Sequence, residues 1–173
     1  MKRLFCLILI SALLFLLPAC DEINADRNVE FYYQRAAYVY GSEDGVIAPE
    51  TREISERTNT LTYVLSLYLR GPLDPTLSAP FPTSTKLLSV TRDGSTLCVT
   101  LDSTFATLKN RDLTIACSCI AKTCFSLADV TQVQIRSIAP DSANSVNMLL
   151  TNDSMLLVDT SGLPQHAITE ETQ

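Results

Sequence analysis

Residues 86–102 read KLLSVTRDGSTLCVTLD, and the fold is decided there. Asp93-Gly94 lies between two β-rich runs, which is the strongest short-range hairpin signal, because glycine enters the positive-φ loop that a tight turn demands. Residues 86–92 and 95–102 are therefore expected to be paired strands. In the second strand Leu97, Val99 and Leu101 alternate with Cys98, Thr100 and Asp102. A side-chain period of two puts the first three on the core face and the others on the opposite one.

Upstream, residues 72–82 form a proline-rich loop. Before it, Leu61, Val64, Leu65, Tyr68 and Leu69 recur at the spacing of one apolar helix face. Thr58 or Asn59 is the expected cap and Gly71-Pro72 the stop, while Tyr63 and Leu67 fall off that face. Val29-Glu30-Phe31-Tyr32-Tyr33 has strand composition. Residues 41–45 form a turn cluster, and residues 47–54 form a second strand that Pro49 marks as an edge.

Downstream, a helix is expected from about Asp112 to Leu127. Leu113, Ala116, Cys117, Ile120, Cys124 and Leu127 make its apolar face. Residues 130–138 alternate again through Val133 and Ile135. Residues 147–150 and 155–158 flank 151–154 as a terminal hairpin. This order reads as an α+β fold, a two-layer sandwich of a mostly antiparallel or mixed sheet with two helices packed on one face. No strand is followed by a glycine-rich phosphate loop, which argues against a nucleotide-binding α/β fold.

The chain has 173 residues, a net charge of −6, six cysteines, one histidine and no tryptophan. That length fits one domain. The acidic balance leaves nothing to neutralise a row of phosphates, so nucleic acid is not an expected partner. Lys2 and Arg3 precede an almost unbroken apolar run over residues 4–17, long enough for a signal peptide and too short to span a bilayer. Leu17-Pro18-Ala19-Cys20 then resembles a bacterial lipobox, with Pro18 an imperfect fit, and Cys20 is the expected lipidation site. Residues 1–19 read as a lipoprotein signal peptide and 20–28 as a polar tether. Residues 29–139 are the folded domain, 140–160 the terminal hairpin extending it, and 161–173 a disordered tail.

Several segments together resemble the GerMN domain of GerM-type sporulation and spore-germination lipoproteins, in a single copy. They are Val29-Glu30-Phe31-Tyr32-Tyr33, Arg52-Glu53-Ile54, Leu69-Arg70-Gly71-Pro72 and the segment from Pro82 to Val90. Asp93-Gly94 with the run from Cys98 to Phe105, and the run from Val130 to Ile135, complete the set. Ser84 stands where the family usually has glycine, and Ser137-Ile138-Ala139 where a glycine tends to follow the last strand. The resemblance implies a domain similar to ring-building folds and a non-catalytic assembly role on the outer face of the cytoplasmic membrane. It also implies envelope or sporulation proteins as partners, is compatible with a homo-oligomer, and carries no catalytic residue or cofactor.

The inventory of side chains agrees with a protein that is not an enzyme. His166 lies in a polar tail with no nucleophile nearby. Asp93 and Asp112 have turn and helix-start reasons for their places, and Glu50, Glu53 and Glu56 read as a solvated edge. Cys117 and Cys124, seven apart on a helix, stand roughly 10 Å from each other, beyond the ~7 Å reach of a disulfide. Both read as small core residues, Cys119 points to another flank, and Cys98 has no assigned role. Cys-x-Cys-x₄-Cys is not zinc spacing, so no metal is expected. Tyr63 and Leu67 are the candidate interaction surface. The alternative function is a solute- or glycan-binding surface lipoprotein using exposed tyrosines.

Overall fold

A computed structural model describes residues 28–38, 45–55, 60–138 and 145–154. The signal peptide, Cys20, His166, the 161–173 tail and the Met155–Val158 half of the expected hairpin lie outside the described residues. No helix among the described residues is long and apolar enough to cross a membrane.

Strand β1 (Asn28–Arg35) pairs antiparallel with β2 (Ile47–Glu53). Helix α1 (Leu61–Tyr68) follows, then the two-residue strand β3 (Leu77–Ser78), which returns to the end of β1. The hairpin of β4 (Leu87–Asp93) and β5 (Thr96–Leu101) leads through a 3₁₀ turn, Phe105–Thr107, into helix α2 (Asn110–Leu127). Strands β6 (Gln132–Ser137) and β7 (Val146–Thr151) and a last 3₁₀ turn, Asn152–Ser154, complete the chain. The α+β expectation holds, with the strands divided between two sheets ordered β2-β1-β3 and β4-β5-β6-β7. Pro49 lies on an edge strand, as its missing N–H requires.

The hairpin forms where the sequence places it. Asp93 pairs with Thr96, and Gly94 takes the first loop position at φ +58°, a conformation glycine adopts at little cost. Leu97, Val99 and Leu101 are all buried, at 0%, 1% and 1% exposure. Strands β5 and β6 are parallel, so the chain must cross over between them, and α2 is that crossover. Strand β7 turns back antiparallel on β6.

Three local expectations need correction. The cap of α1 is Thr60, whose hydroxyl accepts from the Tyr63 N–H at 3.3 Å; Thr58 and Asn59 lie outside the described residues. Strand β1 takes in Asn28, the last residue assigned to the tether. Helix α2 begins at Asn110 and is buried more widely than one face, with Ile115, Ser118, Cys119 and Thr123 inside and Leu113 only half-buried. The reason is that α2 touches both sheets, β1 of the first and β6 and β7 of the second. A helix covered on two sides buries residues that a one-sided periodicity assigns to solvent.

Candidate interaction surface

The face of the first sheet that meets α1 is built around aromatic rings. Tyr33 and Tyr68 stack with centroids 4.9 Å apart, Phe31 tilts against Tyr68 at 5.5 Å, and Phe81 meets Tyr68 edge-on at 5.3 Å. Arg52 lies over this cluster, its guanidinium 5.0 Å from the Phe31 centroid and 5.8 Å from that of Tyr33. The Arg52 Nε donates to Glu50, and Nη2 donates to the Gly71 carbonyl at 2.6 Å. The second Glu50 oxygen accepts the N–H groups of Leu73 and Asp74, both at 2.8 Å. The pair therefore pins the turn that ends α1 onto strand β2. Gly71, at φ +93°, gives that turn its shape.

This corrects the expected solvated acidic edge at Glu50. Its side chain is 9% exposed and that of Arg52 13%. Glu53 is exposed, and Glu56 lies outside the described residues. Period-two counting from the buried Ala48 turns Glu50 and Arg52 inward, and they pair across with Phe31 and Val29 on the core face. That signal was present in the sequence, hidden by the charges.

The edge of β1 not covered by β2 is closed by side chains from both helices. Thr123 of α2 accepts the Tyr32 N–H at 2.9 Å, and Ser126 donates to the Glu30 carbonyl at 2.8 Å. Tyr68 of α1 donates to the Tyr32 carbonyl at 3.0 Å, and β3 takes over at Gln34. Tyr33 donates in turn to the Tyr68 carbonyl at 2.8 Å. Burial drives the Tyr68 phenol well above its ordinary pKa, so both hydroxyls remain donors. Tyr32 faces the other way, as neighbours in a strand must. It donates to Glu30 and lies under the Lys122 ammonium at 5.0 Å, and burial with the adjacent carboxylate pushes its pKa up to about 12.

The outward faces remain. Tyr63 is 40% exposed on α1, while Leu67, one turn on, is half-buried against the core. The two share a flank of the helix, yet only Tyr63 offers substantial surface. The outer face of the second sheet is a polar ladder. Thr96 donates to Gln132 at 3.0 Å, and the Cys98 thiol lies 3.4 Å from the Gln134 oxygen. Gln134 in turn bonds Asn147 at 3.0 Å and Arg136 at 2.7 Å. Such a face has few charges to desolvate and many groups able to re-pair, which suits docking against protein.

Cys98, Cys117, Cys119 and Cys124 carry free thiols. Cys117 and Cys124 belong to the main core, and burial pushes both up to about 12. Cys119 is buried as well, beside Ile115 and Val46. Asp102 and Asp112 serve local bonds, Asp102 to the Lys86 N–H and Thr104 and Asp112 to Arg111. An apolar hollow between α1 and the second sheet, bounded by Leu65, Tyr68, Val99 and Ile120, has room for about one water and none for a sugar ring.

No curated relative matches the sequence. The first GerMN domain of the sporulation protein GerM from Bacillus subtilis matches the fold with a TM-score of 0.51 at 15% identity. That alignment covers 73% of this chain and 98% of the other. A Clostridium perfringens chain assigned as a lipoprotein aligns with a TM-score of 0.44 at 13% identity, covering 77% of this chain and 92% of that one. The family described as "Germane: Sporulation and spore germination" matches residues 31–137, from the middle of β1 to the end of β6. That span is well over half of the chain, and its limits nearly coincide with those of the motifs quoted above: the protein belongs to the Germane family.

Proposed function

We propose that this protein is a membrane-anchored, non-catalytic interaction module that acts in sporulation, spore germination or assembly of the cell envelope. The observation that carries the reading is the family match across residues 31–137. The basic start, apolar run and Leu17-Pro18-Ala19-Cys20 support acylation at Cys20. Two acyl chains at that site hold a domain on the outer face of the cytoplasmic membrane, where one chain binds only marginally. An acidic chain gains nothing from anionic headgroups, so the domain stands off the bilayer on its tether. The exposed Tyr63, the adjoining Leu67 and the polar ladder of the second sheet are the surfaces offered to a protein partner, another envelope or sporulation protein or a second copy.

The test is crosslinking in host membranes, in growth and in any sporulation phase, followed by mass spectrometry of what is captured. Sporulation or envelope-assembly proteins captured by the native chain and lost with Tyr63→Asp support the reading. Transporter subunits, or bound saccharide alone, overturn it in favour of solute binding. In the same cells Cys20→Ser is expected to move the protein from the membrane fraction to the soluble one.

A further inference from the structure

Charge is unevenly distributed along the strand direction of the domain. One pole is marked by the last turn of α2, where Ser126 donates to the Glu30 carbonyl near the start of β1. Just beyond that turn Arg92 donates to the Asp129 carbonyl at 2.8 Å, which joins it to the tip of the β4–β5 hairpin. Asp93, Thr96, Gln132 and Thr151 form one row across the second sheet at this level, and Asn28 pairs with Glu53 in the first. Glu30, Glu53, Asp93, Asp129 and Asp153 are all exposed at this pole, against the exposed guanidinium of Arg92. The carbonyl end of α2 adds its partial negative charge, and its last turn has no basic residue. The opposite pole lies at the row of Leu87, Leu101, Ser137 and Val146. There Lys86, Lys109, Arg111 and Arg136 are exposed, with Asp102 and Asp112 beside them. The links from β1 to β2 and from β6 to β7, partly outside the described residues, add Glu43, Asp44 and Asp141, which leaves this pole close to neutral.

The described residues begin at Asn28 and end at Ser154, and both lie at the acidic pole. Between Cys20 and Asn28 stand only residues 21–27, which carry Asp21, Glu22 and Asp26 against Arg27. Seven residues span at most about 25 Å, no more than the length of β1 itself. An anchor at Cys20 therefore holds the acidic pole close to the bilayer. Inverting the domain, so that its neutral pole touched the surface, needs more tether than that.

We propose that charge orients the domain on an anionic bilayer, with its strands along the membrane normal, its acidic pole toward the headgroups and its neutral pole outermost. Lying flat brings the carboxylates within a Debye length of the headgroups, about 8 Å at physiological salt. Standing upright lets the tether hold them beyond that distance. The polar ladder of the second sheet then faces sideways, toward whatever stands on the same membrane. The inference rests on the acylation of Cys20 argued above and adds to it the direction in which the anchored domain points.

Energy transfer to the membrane surface tests it. The acylated full chain, with Cys98→Ser, takes a donor dye either at the hairpin tip, through Ser95→Cys, or at the neutral pole, through Ser103→Cys; both positions are exposed. It is bound to vesicles whose headgroups carry the acceptor. On phosphatidylglycerol-rich vesicles at physiological salt, transfer from position 95 is expected to exceed that from position 103 at least about twofold. On phosphatidylcholine vesicles, or with the five exposed carboxylates replaced by their amides, the two values are expected to converge. Equal transfer from both positions on the anionic vesicles overturns the proposal. So does a difference that persists unchanged on the uncharged ones, since the tether alone then sets the orientation. A chain that does not bind vesicles at all fails earlier, at the anchor, and overturns both readings.

Discussion

Arg52 ties strand β2 to the aromatic cluster and to the turn that ends α1. Its guanidinium covers two aromatic rings, neutralises Glu50 and reaches the Gly71 carbonyl. Removing one partner of a buried pair leaves the other charged and less well solvated. Arg52→Met is accordingly expected to destabilise the chain by about 3 kcal/mol in urea unfolding. Arg52→Lys recovers only part of this, since an ammonium neither spreads over the rings nor forks between two acceptors. Glu50→Gln is expected to cost less, because a neutral amide oxygen still accepts from Leu73 and Asp74. Thr123→Val keeps the shape of its side chain and strands the Tyr32 N–H, at a cost of about 1–2 kcal/mol. Ser126→Ala, at a position open to water, is expected to cost clearly less in the same assay. These residues were the hardest to anticipate. Charge and hydroxyl types point outward on average, and only the three-dimensional arrangement reveals which of them are needed inside.

Helix α2 is packed on two sides, and only one of them shows in its sequence. The periodicity of Ala116, Cys117, Ile120, Cys124 and Leu127 located it and identified its core face, since a 3.6-residue repeat needs no knowledge of the partner. The burial of Ile115, Cys119 and Thr123 was not legible, because it depends on the first sheet, which is formed from the start of the sequence. Its thiols make a pH prediction. Above about pH 9 the unfolded chain releases thiol protons that Cys117 and Cys124 retain up to about 12 in the folded state. The unfolded form then binds fewer protons, so their contribution is complete below pH 9 and is lost as the pH rises toward 12. Melting temperature is expected to hold level from pH 7 to 9 and to decline beyond, and replacing both cysteines with alanine should make that alkaline limb shallower, with Cys119 and the buried tyrosines supplying the remainder. A thiol reagent at pH 8 is expected to modify Cys98 in the native state and all four described cysteines in denaturant.

At the scale of the molecule, the hairpin at Asp93-Gly94, the edge status of β2 and the α+β class were readable because each rests on neighbours within a few residues. The separation into two sheets, the parallel pairing of β5 with β6 and the short β3 were not, since each is a relation between distant segments. The candidate surface was legible only in part, through the outward flank of Tyr63; the polar ladder across the second sheet required strand order to be known. The closure of β1 also has a consequence in time. Tyr32 finds its hydroxyl acceptor 91 residues later in the chain, and Glu30 its donor 96 residues later. At 5–20 residues per second of synthesis, β1 emerges roughly 5–20 s before the helix that seals it. During that interval one edge of the aromatic strand lacks its hydroxyl partners, and a slow-translating stretch between β1 and α2 would lengthen the interval.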